Sequence, residues 1–149
     1  MPNLEIKSIM KKLIVLLIIS ITFFSCDSLK PVGKVSTDEN KLVNNWVLQN
    51  DKSIEYGLNS EPLSINFSKS AEENKISGFA GCNKFFGNYS AFNGKLIISN
   101  IGATKMACPQ LDAEGQYLSL LGKANRYEIK GNNLFLYNNN LLLLHFEAK

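Results

Sequence analysis

The stretch RYEIKGNNLFLYNNNLLLLHF, residues 126–146, is the one from which the fold is read. Tyr127 and Ile129 alternate with Arg126, Glu128 and Lys130, a period of two that suits a strand with one face buried. Gly131-Asn132-Asn133 then supplies a turn, Leu134–Tyr137 a second strand, Asn138-Asn139-Asn140 a second turn, and Leu141–Phe146 a third strand. The reading is a three-stranded antiparallel meander. Leu141, Leu142, Leu143 and Leu144 are apolar on both faces of the last strand, so a covered or closed part of a sheet is expected there.

Working upstream, the same period recurs. Leu63, Ile65 and Phe67 alternate with Ser64 and Asn66, and 75–79 is a further strand. Tyr89–Phe92 and Lys95–Ile98 flank Asn93-Gly94, a pair that tolerates φ > 0 at both positions and so marks a tight hairpin. One segment departs from this pattern. Residues 109–122 read as a helix, with Pro109 in the first turn, Asp112 and Glu114 as charges at its positive end, and Gly122 at the stop. Its expected buried face carries Leu111, Tyr117, Leu118 and Leu121. Trp46, the single tryptophan, is expected in the core. The fold class is therefore α+β and mostly antiparallel β: a curved, incompletely closed barrel with one short helix plugging or covering an end.

The N-terminus speaks to compartment. Lys7, Lys11 and Lys12 precede an uncharged, mostly apolar run of twelve residues, Leu13 to Phe24. That is shorter than the roughly 20 residues a membrane-spanning helix needs, and suits the core of a signal peptide. Phe23-Phe24-Ser25-Cys26 resembles a bacterial lipoprotein box, which makes residues 1–25 the signal and Cys26 the lipidated residue. The alternative is an ordinary signal peptide in which Cys26 happens to fall. Residues 26–41, with Pro31, Gly33 and several charges, read as the lipidated cysteine and a flexible tether, and residues 42–149 as one domain. Without residues 1–25 the chain carries 13 Lys+Arg and 12 Asp+Glu, interspersed, so no basic patch argues for nucleic acid.

The cysteines remain. SGFAGCNKFFGNYS, residues 77–90, sets Cys82 between Gly81 and Asn83, and Cys108 lies downstream. In an oxidising compartment the two can form a disulfide, which would contribute about 3.5 kcal/mol by the chain-entropy model. Two buried free thiols are the plain alternative. A metal would want four ligands, and the chain offers two thiols and a single histidine, His145, without close spacing. A thiol nucleophile would need His145 as its base, yet that residue falls in the last strand. No catalytic constellation, metal site or cofactor loop is read.

Trp46-Val47-Leu48, Leu63–Phe67, Ile76–Tyr89, Ile101–Cys108, Glu114, Tyr117, Leu118 and Leu134–Leu136 together resemble the META domain (HslJ-like) lipoprotein family. The motif is carried by Gly81, Cys82 and Asn83, then Thr104, Met106 and Cys108. The resemblance covers roughly residues 42–147 and implies a compact β-rich fold with one helix. It implies no activity; family members are mostly uncharacterised envelope proteins linked loosely to heat stress. The expected protein is a non-enzymatic accessory or interaction module, lipid-anchored in the bacterial envelope, on the periplasmic face of the outer membrane. Asp27 after Cys26 resembles an inner-membrane retention signal of enteric bacteria. Its partners would be the membrane, through the anchor, and an envelope protein or an apolar ligand such as a lipid. An alternative is a hydrolase inhibitor, inserting the 77–90 loop with Phe85, Phe86 and Tyr89 as a recognition surface.

Overall fold

The computed structural model describes residues 34–49 and 60–149. Cys26 and the signal segment lie outside the described residues. Among the described residues nine strands and two helices follow in the order β1 (Val35–Ser36), α1 (Glu39–Leu42), β2 (Asn45–Leu48), β3 (Ser64–Lys69), β4 (Asn74–Phe79), β5 (Lys84–Phe92), β6 (Lys95–Ala103), α2 (Leu111–Lys123), β7 (Arg126–Lys130), β8 (Asn133–Asn138) and β9 (Leu141–Ala148). The pairings are all antiparallel. Strand order is β1-β7-β6-β5-β4-β3-β2-β9-β8, and a further β7–β8 pairing closes strands β2 to β9 into a ring.

The ring is uneven. β5 and β6 run long against each other, whereas β6 meets β7 through the single pair Lys95–Arg126. Backbone bonds from Leu96 N to Asn125 O (3.0 Å) and from Tyr127 N to Gly94 O (2.8 Å) complete that joint. Beyond it the two strands part, and α2 packs against β6, β8 and β9. A helix laid over an otherwise open edge removes a surface that could pair with another chain.

Alternation decides what fills the interior. Ile65 and Phe67 from β3, Phe85 and Tyr89 from β5, Tyr127 and Ile129 from β7, Leu134 and Leu136 from β8 and Phe146 from β9 all point inward. Phe67 meets Tyr89 edge-on at 5.0 Å, and Tyr117 meets Phe85 at 5.9 Å and Phe146 at 6.4 Å, the T-shaped geometry that aromatic quadrupoles favour. Buried polar ends find partners: Trp46 Nε1 donates to Leu42 O (2.9 Å), Tyr117 Oη to Ser64 O (3.2 Å), and Tyr127 Oη to Thr37 O (2.7 Å). Burial pushes the Tyr117 phenol well above its ordinary pKa, and pushes Tyr127 to about 12 with help from Glu39, Asp38 and Tyr89.

The meander, the core position of Trp46 and the Asn93-Gly94 hairpin stand as expected, the last with φ of 48° and 80° at its two residues. Four expectations change. The fold is mostly β and barrel-like with two short helices rather than one. The tether expected through residue 41 ends earlier, because Val35 and Ser36 pair with Lys130 and Ile129 and Glu39–Leu42 forms a turn of helix capped by Asp38. No apolar period announces these residues, since a two-residue strand buries almost nothing of its own. Leu141 and Leu142 are exposed instead of covered, while Leu144 is buried. For Leu142 the reason is a register shift: Leu136 faces Leu144 but Tyr137 faces Leu142, so Leu143 is an extra residue and the alternation slips, while Leu141 is the first residue of the strand. Last, Leu111 is exposed, and the buried face of α2 is Glu114, Tyr117 and Leu121.

Candidate functional site

The motif residues meet at one end of the ring, where the β4–β5 hairpin turns through Ala80–Asn83. Gly81 takes φ 109°, a conformation that side chains with a Cβ resist. Ala80 N donates to Asn83 O (2.9 Å) and closes the turn. Asn83 is thereby aimed inward and is 1% exposed.

Asn83 joins three segments. Its Oδ1 accepts from Thr104 Oγ1 (2.8 Å) and from Met106 N (2.7 Å), fixing the chain that leaves β6. Its Nδ2 donates to Glu114 Oε1 (3.0 Å) and to Met106 O (3.3 Å), and its backbone N donates to Glu114 Oε2 (2.6 Å). Glu114 is 6% exposed and stands in the first turn of α2, where the helix dipole favours a negative charge. One asparagine thus binds the hairpin turn, the 104–106 segment and the helix. Met106 serves through its backbone, its side chain being exposed. Beside this node Cys82 and Cys108 stand at disulfide distance, with Cα atoms 6.2 Å apart.

Glu114 is the expected charge at the helix start, and beyond that it is the carboxylate that receives Asn83. A signal was present. Glu114, Tyr117 and Leu121 have the i, i+3, i+7 spacing of one helical face, a better face than one running through Leu111.

The expected recognition loop is not a loop. Phe85, Phe86 and Tyr89 lie on strand β5, and Phe85 and Tyr89 are buried. Phe86 is 59% exposed, but its ring lies over Gly102, its cross-strand neighbour; a Cβ on Gly102 would come within 2.9 Å of that ring. An aromatic covering a strand glycine is a packing device. The Ala80–Asn83 tip is buried too, so nothing protrudes there to insert into a hydrolase.

His145 sits on the outer face of β9. It stacks on Phe135 at 4.5 Å, its Nε2 lies 2.7 Å from Asn133 Oδ1, and burial lowers its pKa against an opposing influence of Glu147. Its partners are therefore on β8, not among the sulfurs. On the same face Arg126 lies over the Tyr137 ring at 3.9 Å and bonds Glu128 at 2.6 Å, and Lys130 adds a contact to Glu128 at 3.2 Å. Bonding by Arg126 holds the Glu128 carboxyl below its usual range. A depression of about 320 Å³ opens beside β2 and β3, with Asn45, Ser64, Asn66, Glu61 and Lys149 in its lining. Among the described residues no cluster of three or more His, Cys, Asp or Glu is placed to hold a metal ion, and no helix is long and apolar enough to cross a membrane.

A family model described as the META domain matches residues 37–149. No curated protein matches the chain. Among solved structures, an NMR structure of a protein from Burkholderia xenovorans is 25% identical, covers 84% of this chain and 95% of its own, and superposes with a TM-score of 0.64. A second NMR structure is 26% identical over 74% of this chain and 92% of its own, with a TM-score of 0.56. A crystal structure of a DUF4847 family protein from Bacteroides vulgatus, 16% identical over 76% of this chain and 98% of its own at a TM-score of 0.52, is similar in fold alone.

Proposed function

This chain belongs to the META domain family, and from that membership we propose a non-enzymatic module of the bacterial envelope, held to a membrane through Cys26, that works by presenting its surface to an envelope protein. The observation that carries the reading is the saturation of the motif. Every polar atom of Asn83 is engaged in joining elements of the fold, Thr104 and Glu114 are engaged with it, and Cys82 stands against Cys108. Residues so occupied support a scaffold role and leave none of the motif side chains poised for chemistry. The interior is filled by Trp46, Phe67, Tyr127 and the leucines, which favours surface recognition over an enclosed apolar ligand. An accessory part in envelope or heat stress rests on the family resemblance.

Three measurements test this. The mass of the chain purified from membranes should correspond to residues 26–149 with acyl chains on Cys26; a mature chain without them removes the anchor. Crosslinking in living cells should capture one envelope protein reproducibly. Rapid labelling of Cys82 or Cys108 by a thiol reagent, without reductant and in the folded protein, would overturn the scaffold reading and restore a nucleophile.

A further inference from the structure

Among the described residues the most exposed aromatic and a strongly exposed isoleucine lie side by side. Phe92 is 68% exposed and Ile97 is 64% exposed. Phe92 pairs with Lys95 across the β5–β6 hairpin, so Ile97 is its diagonal neighbour on the same outer face, within reach of side-chain contact. Phe86 is also exposed, but its ring covers Gly102. Among the described residues no aromatic ring or cation pairs with Phe92 in that way.

The chain enters the fold beside this pair. Thr37 packs against Gly94 in the hairpin turn, where a Cβ would come within 2.8 Å of the Thr37 methyl. Two residues earlier, Val35 is 45% exposed. Exposed Lys95 faces Phe92 across the hairpin and forms no ion pair among the described residues. The nearby acids are engaged: Asp38 accepts from Asn40 N, and Glu39 meets Lys69 at 3.9 Å. The chain from Cys26 to Val35 is nine residues long and can reach at most about 30 Å. An acyl chain on Cys26 therefore keeps this end of the ring, and not the motif end, close to the bilayer.

We infer that Phe92 and Ile97 form a membrane-contact face, seated in the interfacial layer of the bilayer with Lys95 at the headgroups. The inference rests on the lipid anchor at Cys26. Apolar side chains that bury about 5–10 Å into the headgroup boundary add a second, weak attachment to the lipid. The domain is then held end-on, with the Asn83 node pointing away from the membrane. Phe86 marks the contrast: it lies on the outer face of the same strand, about 20 Å from Phe92 at the ordinary rise of a strand.

The test uses the full chain made and processed in cells, purified in detergent and reconstituted into phosphatidylethanolamine–phosphatidylglycerol vesicles. Its mass is checked first for acyl chains on Cys26. Single tryptophans are placed by Phe92→Trp, Ile97→Trp and Phe86→Trp, all at exposed positions, and quenching by lipids brominated in the upper acyl chain is read. Trp46, buried in every variant, gives a common background. The expected result is about a twofold loss of the added emission for Phe92→Trp and Ile97→Trp, and almost none for Phe86→Trp. Acylated protein in which no added tryptophan is quenched overturns the contact face and leaves the anchor standing. Equal quenching at positions 92 and 86 overturns the orientation. A mature chain without acyl groups overturns the anchor and this inference with it. A concentration-dependent blue shift of Phe92→Trp in dilute detergent, without vesicles, assigns the patch to a second copy of the chain and overturns the membrane contact.

Discussion

Asn83 uses all its hydrogen-bonding atoms, and this explains why an asparagine follows the cysteine. Its amide offers an acceptor toward Thr104 and Met106 and a donor toward Glu114, whereas an ionised aspartate of the same shape offers acceptors alone. Asn83→Ala would leave the Met106 N–H and the Glu114 carboxylate without their partner in a buried place, and is expected to cost about 3 kcal/mol, read from urea unfolding. Asn83→Asp keeps the shape but turns a second carboxylate toward Glu114. Its loss should be at least as large at neutral pH and should shrink in acid, as protonation restores a donor. His145 gives a second pH dependence. Burial lowers its folded pKa, so the unfolded chain takes up the proton first as pH falls through about 6.5, and stability declines from there down through the folded pKa. The urea midpoint of the native chain should drop from pH 7 to pH 5 by more than that of His145→Gln, which loses the titration; equal drops would place the effect elsewhere.

Helix α2 shows how an element can be found and yet be faced wrongly. Its limits follow from proline, acidic residues and glycine, and Leu111–Lys123 differs by only a residue or two from expectation. Its rotation does not follow from leucines alone, because a buried glutamate belongs to its inner face. Gly115 lies on the outer side, and a Cβ there would meet nothing within 4 Å. Gly115→Ala should therefore stabilise the protein by about 1 kcal/mol, the difference in helix propensity, visible as a raised thermal midpoint. A fall in the midpoint would mean that this surface is occupied. The bulge at Leu143 makes the same point for a strand: four consecutive leucines look like a doubly buried run, yet one extra residue slips the alternation and turns Leu142 outward beside Tyr137.

The molecule is held at its two ends by different means. One end is closed by α1, with Leu42 fully buried and Trp46 bonded to its carbonyl. The other is drawn together by Asn83, Glu114 and the Cys82–Cys108 pair. The cysteines are 26 residues apart, so replacing both by alanine should cost about 3.5 kcal/mol in the chain-entropy model. Because Asn83 holds the 104–106 segment independently, the double variant should still fold, with an unchanged far-ultraviolet spectrum and a lower urea midpoint. Loss of that spectrum under native conditions would show that the asparagine cannot hold this end without the sulfurs.

Strands β3, β4 and β7 to β9, the Asn93-Gly94 hairpin with the adjoining parts of β5 and β6, and the residue types of the motif were legible in the amino-acid order, because alternation, Asn-Gly turns and helix boundaries are local properties repeated over several residues; the first half of β5 was read as a loop. Burial of Trp46 followed from its chemistry in the same way. Four things were decided by packing at long range: the closing of the ring through β7 and β8, the recruitment of Val35–Leu42 into the fold, the outward turn of Leu141 and Leu142, and the meeting of Asn83 with Glu114, 31 residues away. Each depends on which surfaces come to face each other across the ring, and a buried hydrogen-bond partner has no periodicity that would announce it from within its own segment.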